Sequence, residues 1–143
     1  MLINNDKPNL ITLIEKALNA ETKRNKLIVN NIANVDVPNF KRSELNFESE
    51  LKRAIHENEN RNGNNLPAKL TNERHIPFYI KRNVNDVEPK VNVDYSTTNR
   101  NDGNNVDIEK EVVDATKNSM RYNALIQAIS GKFSSLKRVM RSE

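Results

Sequence analysis

His56 and His75 are the only two histidines of the chain. Any imidazole acid–base step near neutral pH, or any histidine-ligated metal, would have to be built on them. Each stands isolated in a polar, turn-rich stretch, so both read as surface residues, and a hydrolase or metal enzyme is the weakest function class. Cysteine is absent, which removes a thiol nucleophile, a disulfide framework and a Cys-ligated metal. Glycine occurs only at Gly63, Gly103 and Gly131, so no glycine-rich loop can cradle a phosphate. Acidic residues are plentiful but fall on positions that read as solvated helix faces. No catalytic, cofactor-binding or metal-binding residue is predicted, no cofactor is expected, and the chain reads as a non-enzymatic protein.

The residues that do carry a pattern are amides. The chain holds 25 Asn in 143 residues, and the densest informative run is Asn30-Asn31-Ile32-Ala33-Asn34-Val35-Asp36-Val37-Pro38-Asn39-Phe40-Lys41. It reads as the end of a helix. Asn31 and Asn34 can serve the free carbonyls and amides there, and Asn tolerates the left-handed backbone that such an end often needs. Val37, before Pro38, is biased to an extended conformation.

The elements that must position this run are two helices. In the first, over residues 8–35, Pro8 suits a first-turn position and Asn9 a cap. Two apolar ladders follow at helical spacing, one through Leu10, Leu13, Ala17, Ala20 and Leu27, the other through Ile11, Ile14, Leu18, Ile28, Ile32 and Val35. Together they make a face wider than one partner helix needs. The second helix covers 106–141. Ile108, Val112, Ala115, Ser119, Tyr122, Ile126, Ile129, Phe133, Leu136 and Met140 alternate at spacings of four and three without interruption, which predicts a coiled-coil seam. Asp107, Glu109 and Glu111 crowd its first turns and Lys132, Lys137, Arg138 and Arg141 its last, as the helix dipole favours. Asp102-Gly103 ahead of it is a turn signal.

Between them, 36–105 is a variable and partly disordered middle. Residues 44–56 could make a short helix. Ile76–Ile80 and Val91–Tyr95 read as short strands, enough for a small β-hairpin, and Pro77 and Pro89 hold them to edges or ends. Residues 56–65 and 96–105 have almost no apolar surface to offset ordering entropy. The expected fold is therefore mainly α, a single domain of long N- and C-terminal helices forming a coiled-coil-like pair around an irregular middle.

Composition points the same way. Only 36 % of residues are hydrophobic, with no Trp. A monomer should be marginal, and its broad apolar faces should be covered by other subunits. The net charge is +4, but Lys and Arg are mixed with Asp and Glu nearly everywhere. A solvated surface is favoured over nucleic-acid binding, and a basic helical module for nucleic acid is the alternative. No uncharged stretch approaches the ~20 residues of a membrane span, so no direct membrane insertion is expected. Met1 to Asp6 lacks the features of a cleaved leader.

The run Asn30 to Lys41 resembles the N-terminal signature of the axial proteins of the bacterial flagellum, the rod, hook and hook-associated proteins. Asn39 stands where that family usually has Gly, and Phe40 where it usually has Tyr. Asp102-Gly103-Asn104-Asn105-Val106-Asp107-Ile108-Glu109, followed by Arg121 to Leu125 and Gly131-Lys132-Phe133, is similar to the proximal-rod branch of the basal-body rod proteins, and Thr71 to His75 to a short element in its middle. The resemblance implies a structural subunit exported without a cleaved signal peptide by the flagellar type III apparatus. It would assemble with copies of itself, other rod proteins and the ring–rod adaptor into the periplasmic rod that transmits motor torque. The assembly interface expected from the ladders comprises Leu10, Leu13, Ile14, Ala17, Ile28 and Ile32 on the first helix and the apolar seam Ile108 to Met140 on the last.

Overall fold

The structure is a computed structural model, and it describes residues 10–59, 71, 72, 74, 84–98 and 100–141, with only the backbone of 57–59. The elements are α1 (Leu10–Ala33), β1 (Ser43–Asn46), α2 (Glu48–Glu59), a 3-10 turn (Val84–Asp86), β2 (Lys90–Val93) and α3 (Ile108–Met140). Pro8, Asn9, His75 and the strand expected at Ile76–Ile80 lie outside the described residues. Both terminal helices form as their periodicity requires. Asp107 caps α3 with its carboxylate, which accepts from the Glu109 and Lys110 backbone N–H groups.

The middle differs from its sequence pattern in two ways. The short helix expected at 44–56 becomes a strand over Ser43–Asn46 and a helix over Glu48–Glu59. The strand expected near Val91 pairs with this new strand rather than with a sequence neighbour. β1 and β2 are antiparallel, with Ser43 opposite Val93 and Asn46 opposite Lys90. The sheet is thus a long-range pair, not a local hairpin.

Among the described residues the apolar core is small. Ala20 of α1 packs on Leu45 of β1 and on Phe47, with Ala17, Leu27, Leu51 and Val87 around them. Ile14, Ile28, Ala54, Val84 and Val106 are also buried. α1 and α3 lie side by side. Asn31, late in α1, bonds to Glu111, early in α3. The earlier Arg24 and the later Arg121 share Glu48. The two helices therefore run antiparallel.

Their contact does not use the heptad seam. The buried residues of α3 are Glu111 and Asn118, one position before Val112 and Ser119. Ile126, Phe133 and Met140 on the seam are 41, 54 and 74 % exposed. Ile108, Val112, Tyr122 and Leu136 are exposed as well, and only Ala115 and Ile129 are half-buried. The helix is turned so that Glu111 reaches its partners on α1 and β1, which carries the apolar stripe outward. On α1, Ile14 and Ile28 are buried, Leu13, Ala17 and Ile32 are half-buried, and Leu10 is exposed.

A core this small concentrates stability in few side chains. Phe47→Ala should cost about 3–5 kcal/mol, a large part of the roughly 5–15 kcal/mol of a typical domain. Urea unfolding followed by circular dichroism should show the midpoint collapse, whereas Val29→Ala, at an exposed position of α1, should leave it nearly unchanged.

Candidate functional site

The two patterned runs, 30–41 and 102–109, meet in space and, with Arg42, Ser43 and Glu111, form one polar junction. Asn31, in the last turn of α1, is fully buried. Its Oδ1 accepts from the Ser43 N–H at 3.0 Å, and its Nδ2 donates to the Ser43 carbonyl at 2.8 Å. Ser43 opposes Val93, next to the hydrogen-bonded Arg42–Asp94 rung. Its own backbone groups consequently point away from β2, where an edge strand would be left unpaired. The Asn31 amide acts there as a one-residue substitute strand. Its Nδ2 also donates to Glu111 Oε2 at 3.2 Å.

Glu111 is 0 % exposed. A lone buried carboxylate would cost several kcal/mol, and here Arg42 meets it with Nε on Oε1 at 2.5 Å. The other guanidinium nitrogens reach Glu44 at 2.7 Å and Asp114 at 3.4 Å. Burial opposes the charge of Arg42, but the bonds to Glu111 and Glu44 outweigh it, and its pKa lies above the ordinary value. The Arg42 backbone N–H donates to Asn105 Oδ1 at 2.6 Å, and Asn105 Nδ2 donates to the Asp94 carbonyl at 2.8 Å. Asp94 N–H still donates to the Arg42 carbonyl. Asn105 therefore inserts its amide into one rung of the β1–β2 ladder just where the strands separate.

Asn104 caps α1 from 70 residues away. Its Nδ2 lies within 3.0 Å of the Asn34, Val35 and Val37 carbonyls, and its Oδ1 accepts from the Val106 N–H. These carbonyls lie where the helix ends, and the Val37 and Phe40 N–H groups and the Arg100 guanidinium donate to them as well, so the Asn104 amide ties the end of α1 together rather than serving alone. Asn34 adds a bond from its own amide to the Asn30 carbonyl. The chain then turns through Asn39, whose φ is +60°, the left-handed value that Asn tolerates. The Asn39 N–H donates to the Asp102 carbonyl. Gly103 has φ +80°, and a Cβ there would sit 2.5 Å from Asn39 Oδ1. The backbone angle favours glycine, while the close contact is with the end of the Asn39 side chain alone. Lys41 donates to the Gly103 and Thr97 carbonyls.

Of the motif residues expected from sequence, Asn31, Asn34, Lys41, Asp102, Gly103, Asn104, Asn105, Val106 and Asp107 come together at this junction. Asn30 contributes a carbonyl. Ala33, Pro38 and Glu109 are exposed, and Phe40 and Ile32 are half-buried. The low apolar content of 96–105 pointed to disorder, yet Asn104 and Asn105 are buried because hydrogen bonds, not apolar contacts, hold them. Three central residues were missed. Arg42 and Ser43 follow the recognised run directly. Glu111 was read as a dipole-matching surface acid, and nothing in the periodicity distinguished it. His56 lies exposed on α2. No group of three potential metal-ligating side chains occurs among the described residues, and none of their helices is long and apolar enough to cross a membrane.

The junction is a scaffold of backbone-satisfying amides around one ion pair. Comparisons with known proteins agree with the runs that build it. Residues 15–41 match the family model described as flagella basal body rod protein. The flagellar basal body rod protein FlgB of Borreliella burgdorferi is 35 % identical over 137 residues, 96 % of this chain and 99 % of its own length. The chain belongs to the FlgB family of flagellar basal body rod proteins. FlgB proteins of Bacillus subtilis and Escherichia coli K12 are 33 and 28 % identical, each over about nine-tenths of both chains. FlgB-family membership makes this a non-enzymatic, structural protein of the flagellar basal body that associates with other rod components and serves motility.

Two outcomes follow for the FlgB junction. Glu111→Ala takes one partner from Arg42, which keeps Glu44 and Asp114, and one from Asn31, which keeps Ser43, and should cost about 1–3 kcal/mol, whereas Glu109→Gln on the exposed face should stay within ~0.5 kcal/mol; chemical denaturation of the two variants reads the contrast. The acid limb is set by carboxylates whose pKa is lowered. Burial pushes Glu48 upward, but its own backbone N–H and Arg24 prevail and hold it below its ordinary 4.5. Asp94, accepting from the Thr97 and Ser96 hydroxyls and the Ser96 N–H, is also held below the usual carboxylate range. A lowered folded pKa contributes stability that is present above the unfolded value and lost as pH falls through the folded one. The thermal midpoint should be flat near neutrality and fall below about pH 4.5, and Asp94→Asn should shrink that fall.

Proposed function

We propose that this chain is a subunit of the proximal rod that assembles by helix packing and carries motor torque across the periplasm. The observation that carries the reading is the apolar stripe of α3 from Ile108 to Met140, regular in spacing and largely exposed. A stripe of that length on a small protein marks an interaction surface. Neighbouring copies and related rod subunits would cover it, together with the accessible part of α1 around Leu10. The adaptor between membrane ring and rod and the flagellar export apparatus are the further partners. Export would proceed on an unfolded chain without a cleaved signal, which the small core and the lack of disulfides favour. The exit turn at Pro38 and Asn39 would fix the direction in which the middle leaves the helical layer.

The test separates folding from assembly. Because Ile126 and Phe133 are exposed in the subunit, Ile126→Asp or Phe133→Asp should change its unfolding free energy by no more than ~1 kcal/mol. In cells each should abolish motility and be absent from purified basal bodies while still being made. Normal incorporation of both variants would remove the stripe from the rod interface.

A further inference from the structure

The mixing of charges that characterises this chain stops at Asp114. From Ala115 to Ser142 there is no Asp or Glu, while Lys117, Arg121, Lys132, Lys137, Arg138 and Arg141 contribute six positive charges. The whole chain carries +4, so the remainder is at −2. Lys117 and Arg121 are met by Asp114 and Glu48. Lys132, Lys137, Arg138 and Arg141 have no ion pair among the described residues. Every residue from 130 to 141 is exposed, so the last turns of α3 stand clear of the rest of the subunit on all sides.

The cations have a defined place around this helix. At about 100° per residue, the apolar residues from Tyr122 to Met140 fall in one stripe centred near Phe133. Arg121 and Lys132 border it on one side, Lys137 and Arg141 on the other. The side opposite carries Gln127, Gly131, Ser135 and Arg138. An apolar stripe with cations along both borders suits a helix lying in a membrane interface, where alkyl stems cover the stripe's edges and the charged heads reach anionic headgroups. A single partner helix uses less of the pattern. It reaches the flanking e and g positions, which among these cations hold only Lys132 and Lys137, whereas Arg121 and Arg141 lie farther round. The start of α3 has the reverse charge, with Asp107, Glu109, Glu111 and Asp114 against Lys110, and an anionic surface would repel it.

We infer that the C-terminal half of α3 adsorbs the free subunit on an anionic phospholipid membrane. The stripe would lie in the interfacial layer, with Lys132, Lys137 and Arg141 on lipid phosphates, and the start of α3 with the polar junction would be held away from the surface. This is adsorption and not insertion, since no helix among the described residues is long and apolar enough to cross a membrane. Lipid and rod neighbours would use the same stripe, so the lipid-bound state belongs to subunits outside the rod. The inference goes beyond the rod-subunit reading and does not depend on it.

The test uses the full-length protein and vesicles of phosphatidylcholine, alone or mixed with an equal part of phosphatidylglycerol. Co-sedimentation should show at least about tenfold stronger binding to the mixed vesicles, and the ratio should shrink as salt is raised. Lys132→Glu combined with Lys137→Glu should bring binding down to the level of phosphatidylcholine alone. Phe133→Ser, which keeps the charge, should weaken it several-fold. All three positions are exposed, and circular dichroism should show the helix content unchanged. The chain has no cysteine, so one polarity-sensitive dye can be attached at Leu136→Cys or at Val112→Cys, and only the first should shift to the blue on mixed vesicles. Equal binding to both vesicle types, undiminished binding of either variant, or equal blue shifts at the two dye positions would overturn the inference. So would preferential binding to duplex DNA or to an acidic amphipathic helical peptide when either competes with the vesicles at equal anionic charge. Incorporation into basal bodies is a separate measurement, so failure of one reading leaves the other standing.

Discussion

One buried carboxylate organises the subunit. Glu111 can be excluded from water only if Arg42 and Asn31 both meet it, and those two residues belong to different parts of the chain. Arg42 opens the path into β1, and Asn31 lies in the last turn of α1. Satisfying Glu111 thus fixes α3 against α1 and β1 at once. A helix with a regular apolar repeat can slide by a heptad at little cost. A slide here would strand a buried charge, at a cost of several kcal/mol. The ion pair accordingly sets register more than it adds net stability.

The surrounding amides follow from the same constraint. Bringing the ends of α1 and β1 together leaves backbone groups that no regular ladder can satisfy. Asn31 serves Ser43 on the open edge of β1, Asn105 bridges the rung beyond β2, and Asn104 collects the carbonyls at the end of α1. Each side-chain amide carries the donor and acceptor of a peptide group, which is why asparagine recurs where the backbone changes direction. Gly103 is favoured because its φ of +80° lies in the left-handed region where the chain turns beside Asn39.

A consequence is a division of labour in α3. Its attachment to the subunit is polar at Glu111, while no residue of α3 belongs to the apolar cluster of Ala20, Leu45 and Phe47. The apolar residues of α3 are left largely accessible. The core is correspondingly modest, and the helix that contributes least to it has the most surface to offer a partner. For a FlgB-family rod protein this arrangement separates what folds the subunit from what is available for assembly.

The heptad spacing of Ile108 to Met140 and the ladders from Leu10 to Ile32 are local properties, and local periodicity suffices to specify two long helices. The same holds for the Asp107 cap and the left-handed turn at Asn39, each decided by chemistry within a few residues. The run Asn30 to Lys41 and the run Asp102 to Glu109 were visible as patterns, but not that they touch. Which face of α3 turns inward was decided by tertiary structure, because Glu111 lies one position off the apolar stripe and its burial depends on Arg42, 69 residues away. The pairing of β1 with β2 was likewise invisible, since neither strand has a partner nearby in sequence. The burial of Asn104 and Asn105 looked unfavourable by composition and is made favourable only by carbonyls that the fold delivers. Sequence by itself determined the helices, the caps and the family; tertiary structure decided the seam, the sheet and the junction, because hydrogen bonds between distant segments exist only once those segments meet.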